Sequence, residues 1–118
     1  MNLVTLSQVS GQIPITVLQL HDRVNLGNIS ELEQAATDAF TAGARNMLLD
    51  LSKAPSLTSA GIRAILLIHK MLAGAGMDQA RHLKLVSPTP EVRDVLKVAG
   101  LMDYIEIFTN IDEAVASF

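Results

Sequence analysis

The side chains best suited to chemistry in this chain follow one short apolar run at residues 47–49. Asp50 ends that run, and the hydroxyl residues beyond it include Thr58 and Ser59. A carboxylate at a strand end can serve as a general acid or base, but a hydroxyl becomes a nucleophile only beside an activating base. The sequence offers no partner base for these groups in a catalytic motif such as G-x-S-x-G. We therefore expect that the protein is not an enzyme.

Metal and cofactor sites are not indicated by the sequence either. The three histidines, His21, His69 and His82, are far apart and lack the spacing of metal ligands. The chain has no cysteine, so a disulfide framework and a thiolate metal site are excluded. The glycines at 74 and 76 follow a helical pattern, whereas a phosphate-binding glycine loop precedes its helix. We expect neither a metal nor a cofactor.

The elements that must position these hydroxyls lie in residues 46–72. The apolar run does not alternate, which is typical of a central parallel strand covered on both faces. After a loop at 52–57, apolar residues recur at three-and-four spacing, which predicts a helix with one buried face; they are Ile62, Ile65, Leu66 and Leu72. Thr58 or Ser59 could cap this helix, because a hydroxyl oxygen accepts from the free N–H groups of the first turn.

Ser59, at the junction between the loop and this helix, has two interpretations. It could be only a helix cap, which the spacing alone favours. A helix N-terminus also suits an added phosphate, because free N–H groups and the positive end of the helix dipole lie there. A phosphoserine adds about −1.5 to −2 charges and would change the surface while leaving the helix folded.

The segments LDLS at 49–52 and LTSAGIRAIL at 57–66 resemble the signature of STAS domains, the sulphate transporter and anti-sigma factor antagonist family. The resemblance implies that Ser59 matches the serine that a partner anti-sigma factor, a serine kinase, phosphorylates in the bacterial antagonists. Thr58 stands where many members have Asp and is itself a second-choice acceptor. Ala60 gives the Ser-Ala-Gly variant of the motif.

The loop HDRVNLG at 21–27 corresponds to the G-x-L-D loop of STAS domains, whose Asp lies near the phosphorylatable serine. Asn25 occupies the Asp position, so it can form hydrogen bonds but cannot supply the negative charge. The alternative is that the polar residues of this loop are merely solvated. The partner-binding set implied by the resemblance is Asp22, Arg23, Asn25, Thr58, Ser59, Ala60, Gly61 and Arg63.

The composition limits the number of domains, the partners and the location that are possible for this protein. With 118 residues, 49% hydrophobic and 18% charged, residues 1–118 should form one ordered domain. The net charge of −3 argues against nucleic acid as a partner, and no apolar run is long enough to insert into a membrane. The first residues lack the pattern of a signal peptide. We expect a cytoplasmic protein that is a monomer or a weak dimer.

The order of elements predicted along the chain is ββαβαβαβα, an α/β fold with a mostly parallel sheet. The STAS resemblance adds that the helices lie mainly on one side of this sheet. Predicted helix starts are a capping box at Asn28 and Glu31, Thr89 before Pro90, and Asn110. Glycines at 43, 74, 76 and 100 should end helices, a loop should extend through 77–81, and the last strand is expected within 104–108.

The resemblance implies an anti-sigma factor antagonist: it binds an anti-sigma factor serine kinase, releases a sigma factor, is switched off by phosphorylation at Ser59 and is reset by a phosphatase. The alternative is a STAS scaffold that is never phosphorylated and serves a transport or signalling assembly. The helix after Ser59 is apolar almost all round. Its additional apolar residues, Leu67, Ile68 and Met71, are either covered by neighbouring helices or exposed to a partner.

Overall fold

The computed structural model describes residues 3–73 and 82–118. Its elements follow the predicted order, with one short 3₁₀-helix added. The strands are β1 Val4–Ser10, β2 Pro14–Leu20, β3 Met47–Asp50, β4 Leu83–Val86 and β5 Ile107–Phe108. The helices are α1 Ile29–Thr41, α2 Ser59–Ala73, α3 Pro90–Val98 and α4 Ile111–Ala116, and the 3₁₀-helix is Leu101–Asp103.

The five strands form one sheet in the order β1-β2-β3-β4-β5. The opening hairpin pairs β1 with β2 antiparallel, and every later pair is parallel. All four residues of β3 and all four of β4 are buried, as the unbroken apolar run predicted for the central strand. The mostly parallel α/β architecture is therefore confirmed.

The helices lie mainly on one side of the sheet, as expected. One core cluster joins the sheet to α1, α2 and α3, through side chains such as Leu32, Ile65 and Leu96. A second, smaller cluster lies on the other face, where Ala114 of α4 packs with Leu48 and neighbouring strand residues. Leu48 and Leu49 of the same strand fall in different clusters, because successive side chains of a strand point to opposite faces.

Three helix ends, at Thr89, Asn110 and Gly100, were predicted correctly. The Thr89 hydroxyl accepts from the Val92 amide at 3.2 Å, with Pro90 at the first helical position. The Asn110 side chain accepts from the amides of Asp112 and Glu113. Gly100 has a φ of +77°, a conformation that lets a glycine stop α3 at low cost. The predicted terminators at 74 and 76 and the loop 77–81 lie outside the described residues.

The capping box at Asn28 and Glu31 was wrong. Asn28 is the N-cap residue of α1, but its side chain makes no cap hydrogen bond. That side chain instead bonds to the preceding loop, where it donates to the Arg23 carbonyl at 2.7 Å. The Glu31 carboxylate accepts from the Leu3 amide at 2.6 Å. Because both side chains bond to groups outside α1, neither of them caps its first turn.

The last strand lies within the predicted range 104–108 and is two residues long. Before this strand, the Tyr104 amide closes the 3₁₀ turn by donating to the Leu101 carbonyl at 3.0 Å, and the Ile105 amide donates to the same carbonyl at 2.9 Å. On α2, Ile68 is buried while Leu67 is 50% exposed, so neighbouring helices cover this face only in part. In the described part of the chain no helix is long and apolar enough to cross a membrane, and residues 3–73 and 82–118 contain no metal-binding cluster.

Lys84, in the middle of β4, is a buried cation that the sequence pattern did not reveal. Its ammonium donates to the carbonyl and hydroxyl oxygens of Ser117, at 2.9 and 2.8 Å. It also lies 3.4 Å from a Glu106 carboxylate oxygen and 4.6 Å from the centre of the Phe118 ring. These contacts join the residues after α4 to the sheet.

We predict that Lys84→Ala lowers the free energy of unfolding by about 2 kcal/mol, because charge-assisted hydrogen bonds to Ser117 are lost in a buried setting. Urea titration measures this change, provided that the dependence of the unfolding free energy on urea concentration is the same in both proteins. Lys53→Ala, at an exposed position, is the matched control and should change stability by less than about 0.5 kcal/mol. Equal stability of the two variants would contradict the role given to Lys84.

Candidate functional site

The candidate site lies beyond the carboxyl ends of β2 and β3, where two loops meet at the start of α2. Asp50 closes β3 and is only 8% exposed. Its carboxylate accepts from the Ser52 amide at 2.9 Å and from the Gln19 side chain at 3.1 Å. Because the buried carboxylate is bonded to the start of the loop and to β2, Asp50 has a structural role where the chain leaves the sheet.

The loop after β3 is bound to the loop after β2 through Val24. Val24 and Leu57 form an isolated parallel bridge. The Val24 carbonyl accepts from Thr58 twice, from its amide at 3.2 Å and from its hydroxyl at 2.8 Å. The Thr58 carbonyl then accepts from the Ile62 amide in the first turn of α2. The start of α2 is therefore fixed against the loop at residues 21–28.

Two asparagines shape that loop from within. The Asn25 side-chain oxygen accepts from the Gly27 amide at 2.8 Å. The Asn28 side chain accepts from the Asn25 amide at 2.9 Å and, as described above, donates to the Arg23 carbonyl. Asn25 thus makes a local turn bond, which an uncharged amide can do as well as a carboxylate.

Gly61 and Ala60 lie underneath the site. Gly61 is buried, and a Cβ atom at this position would lie 3.1 Å from the Leu57 side chain and 3.3 Å from that of Val24. Glycine therefore lets the helix approach both loops closely. Ala60 is only 7% exposed, and it forms part of the wall of a groove beside Ser59.

Ser59 itself is exposed, at the junction of two surface grooves. One groove, of about 400 Å³, is lined by the loop residues 25–27 and by residues 58–60. The other, of about 470 Å³, is mostly apolar and runs between α2 and α3, where its lining includes Ile62, Val95 and Val98. Each groove carries a strongly exposed aliphatic side chain, Leu26 at 81% and Val98 at 89%.

Charged side chains lie on the same loops and helices that form these grooves. Arg63 is exposed one helical turn after Ser59. Arg23 is exposed on the neighbouring loop, where its Nε donates to the Ser56 hydroxyl at 2.8 Å, and the Asp22 carboxylate accepts from the Arg23 amide. Asp94 lines the groove between α2 and α3.

The structure brings together the two loops and the helix start that hold the eight sequence-predicted residues. Ser59, Asp22, Arg23 and Arg63 are exposed, Asn25 and Thr58 are half-buried, and Ala60 and Gly61 are buried. Sequence reasoning missed Leu26 and Val98. The sequence does contain an isolated leucine in a polar loop and a valine outside the buried positions of α3. Because single exposed apolar residues are common in proteins, neither residue alone indicates a binding surface.

A sequence model of the STAS domain matches residues 7–114. The chain belongs to the STAS domain family. The motif around Ser59 and the order of elements along the chain agree with this membership.

Relatives of this STAS domain share most of its length. BtrV of Bordetella bronchiseptica, described as a candidate anti-sigma factor antagonist, is 27% identical over 97% of this chain and 92% of its own. A Thermotoga maritima protein with a similar description has a TM-score of 0.82 at 24% identity, covering 94% of this chain and 90% of its own. The unphosphorylated antagonist SpoIIAA has a TM-score of 0.74 at 17% identity, covering 94% and 92%. The two structures show the same fold.

We predict that Thr58→Val lowers the free energy of unfolding by about 1 kcal/mol, because the Val24 carbonyl loses its hydroxyl donor while side-chain volume is kept. Amide hydrogen exchange should also become faster in the loop at 21–28. Thr58→Ser, which keeps the hydroxyl, serves as the control. Unchanged exchange in the valine variant would show that this bond does not hold the loop.

Proposed function

We propose that this STAS domain is an anti-sigma factor antagonist that binds an anti-sigma factor serine kinase and is switched off when that kinase phosphorylates Ser59. The observation that carries the proposal is the position of one exposed hydroxyl between two partly apolar grooves. A partner that covers both grooves must also cover Ser59. A modification of this hydroxyl therefore acts directly on the bound surface.

Ser59 is a better acceptor than Thr58 on structural grounds. The Thr58 hydroxyl is half-buried and already donates to the Val24 carbonyl. Phosphorylation of Thr58 would remove that bond, which is one of those that hold the two loops together. Ser59 is exposed, so a kinase can reach its hydroxyl without changing the fold.

A phosphate on Ser59 would oppose binding through charge and desolvation. It places about −1.5 to −2 charges beside Ile62 and Val98 and in the groove that Asp94 lines. Burying that charge without a matching cation typically costs an interface about 2–5 kcal/mol, which is roughly 30-fold to several thousand-fold in affinity. The start of α2 tolerates the phosphate, because the free amides of the first turn favour an anion.

The relatives support the same mechanism. SpoIIAA of Bacillus has been solved in a phosphorylated form, which has a TM-score of 0.68 to this chain at 17% identity and covers 94% of this chain and 96% of its own. That fold therefore exists with and without the modification. The description of BtrV as a candidate antagonist agrees with the same role.

We expect the protein isolated from its own cells to carry one phosphate, on Ser59, at a level that differs between growth and stress. Intact mass followed by peptide mapping measures it. A phosphate on Thr58 would move the acceptor by one residue. The absence of phosphate under all conditions would favour the alternative, a constitutive scaffold of a transport or signalling assembly, for which Asn25 at the usual Asp position is the supporting observation.

For the kinase captured with the wild-type protein, Ser59→Asp should weaken binding by at least about 30-fold, and Ser59→Ala should keep it within a few-fold. Titration calorimetry measures both affinities. Equal affinity of the two variants would contradict the switch.

The two grooves can be tested separately from the switch. Leu26→Asp and Val98→Asp each put a charge on an exposed apolar side chain, and each should weaken kinase binding by about tenfold or more. Tyr104→Asp is the matched control, because Tyr104 is 69% exposed and lines neither groove. Loss of affinity in the control alone would place the interface elsewhere.

A further inference from the structure

The two edges of the sheet differ in a way that the proposed function does not explain. The edge at β5 is two residues long. The edge at β1 is seven residues long, pairs with β2 over its whole length without a bulge, and contains no charged residue and no proline. Long, flat and uncharged edges readily pair with another strand, and proteins usually shorten, charge or interrupt them.

Hydrogen bonds on β2 show which groups of β1 face outward. The Thr16 amide donates to the Asn46 carbonyl, on the β3 side, so its partner Gln8 directs its own backbone groups away from β2. At the other end, the His21 amide donates to the Leu3 carbonyl, so Leu3 directs its carbonyl toward β2. Because the direction of the backbone groups alternates along a strand, four residues of β1 direct their N–H and C=O groups away from β2. These outward residues are Val4, Leu6, Gln8 and Ser10.

The side chains along this edge are also exposed to solvent. The four residues from Thr5 to Gln8 are exposed, although their side chains alternate between the two faces of the sheet, and Leu6 remains 45% exposed although it is aliphatic. Leu6 and Gln8 border a groove of about 590 Å³ that continues to the end of α1. The charged residues that line this groove are one acid and one base, Asp38 and Arg45, so its charges do not repel a copy of the same surface.

We propose that β1 is a self-association edge, on which a second copy of this chain pairs its own β1 antiparallel about a two-fold axis at Ser7. In this register Leu6 faces Gln8 of the second copy, and Val4 faces Ser10. Every outward residue of β1 then has a backbone partner, and no two like charges are opposed. The result is one continuous sheet that runs through both copies.

The second copy is the occupant because the strand is complementary to itself. The strand is neutral and has small hydroxyl side chains near its centre, so two copies can approach without a clash of charge or size. Ser7 then lies opposite Ser7 of the second copy, as a pair without backbone hydrogen bonds and with a Cα separation of about 4.5 Å. This contact leaves Ser59 free, since the grooves beside Ser59 are lined by other elements. The proposal does not depend on the phosphorylation switch.

Sedimentation equilibrium of the full chain over about a hundred-fold range of concentration tests the proposal. We expect a reversible dimer whose association constant falls at least about tenfold in Ser7→Lys and in Ser7→Glu, because like charges then meet across the axis. An equimolar mixture of the two variants should regain the wild-type association. Thr109→Lys, exposed next to the opposite edge, is the matched control and should dimerise as the wild type does.

A wild-type protein that stays monomeric throughout would overturn the proposal, as would a dimer that Ser7→Lys leaves unchanged. Failure of the mixed variants to associate would contradict the register. Circular dichroism of each variant checks that the fold is kept, so that a lost dimer reports on the edge and not on unfolding.

Discussion

The candidate site depends on one carbonyl group, that of Val24. It accepts both the amide and the hydroxyl of Thr58, and so joins a loop that follows β2 to a loop that follows β3. Because α2 begins at the next residue, this junction sets where Ser59 lies relative to Leu26. Gly61 permits the close approach beneath it, since a larger side chain would meet both loops. The backbone geometry of two loops therefore determines the shape of the surface that a partner would contact.

Polar side chains near this junction divide into two groups with different roles. Asp50, Asn25 and Asn28 direct their side chains to nearby backbone or side-chain groups of the same domain. Those bonds satisfy polar groups that would be costly to leave unpaired next to the core. The Ser59 hydroxyl lies at the surface, where water can reach it. A change at Ser59 can therefore alter binding with little effect on the fold, which is the property that a reversible modification needs.

How much of this could be predicted depended on the range of each interaction. Thr89 and Asn110 bond to amides two or three residues away, so local sequence was sufficient to find them. Glu31 bonds to Leu3 and Lys84 to Ser117, across 28 and 33 residues, and no local pattern signals such pairs. The same limit applies to the grooves beside Ser59, because their walls come from separate elements that only the folded chain brings together.

The order of strands in the sheet has a consequence for folding. Each strand neighbours the strand that precedes it in the chain, from β1 to β5. No pairing has to wait for a distant segment, so the entropy lost in closing each loop stays modest. Pairing of strands that are consecutive in the chain keeps the sequence separation of their contacts smaller than pairing of more distant strands would, although each parallel pair still closes a long crossover. The sheet can therefore grow strand by strand from the opening hairpin, with each crossover helix packing as its strand is added.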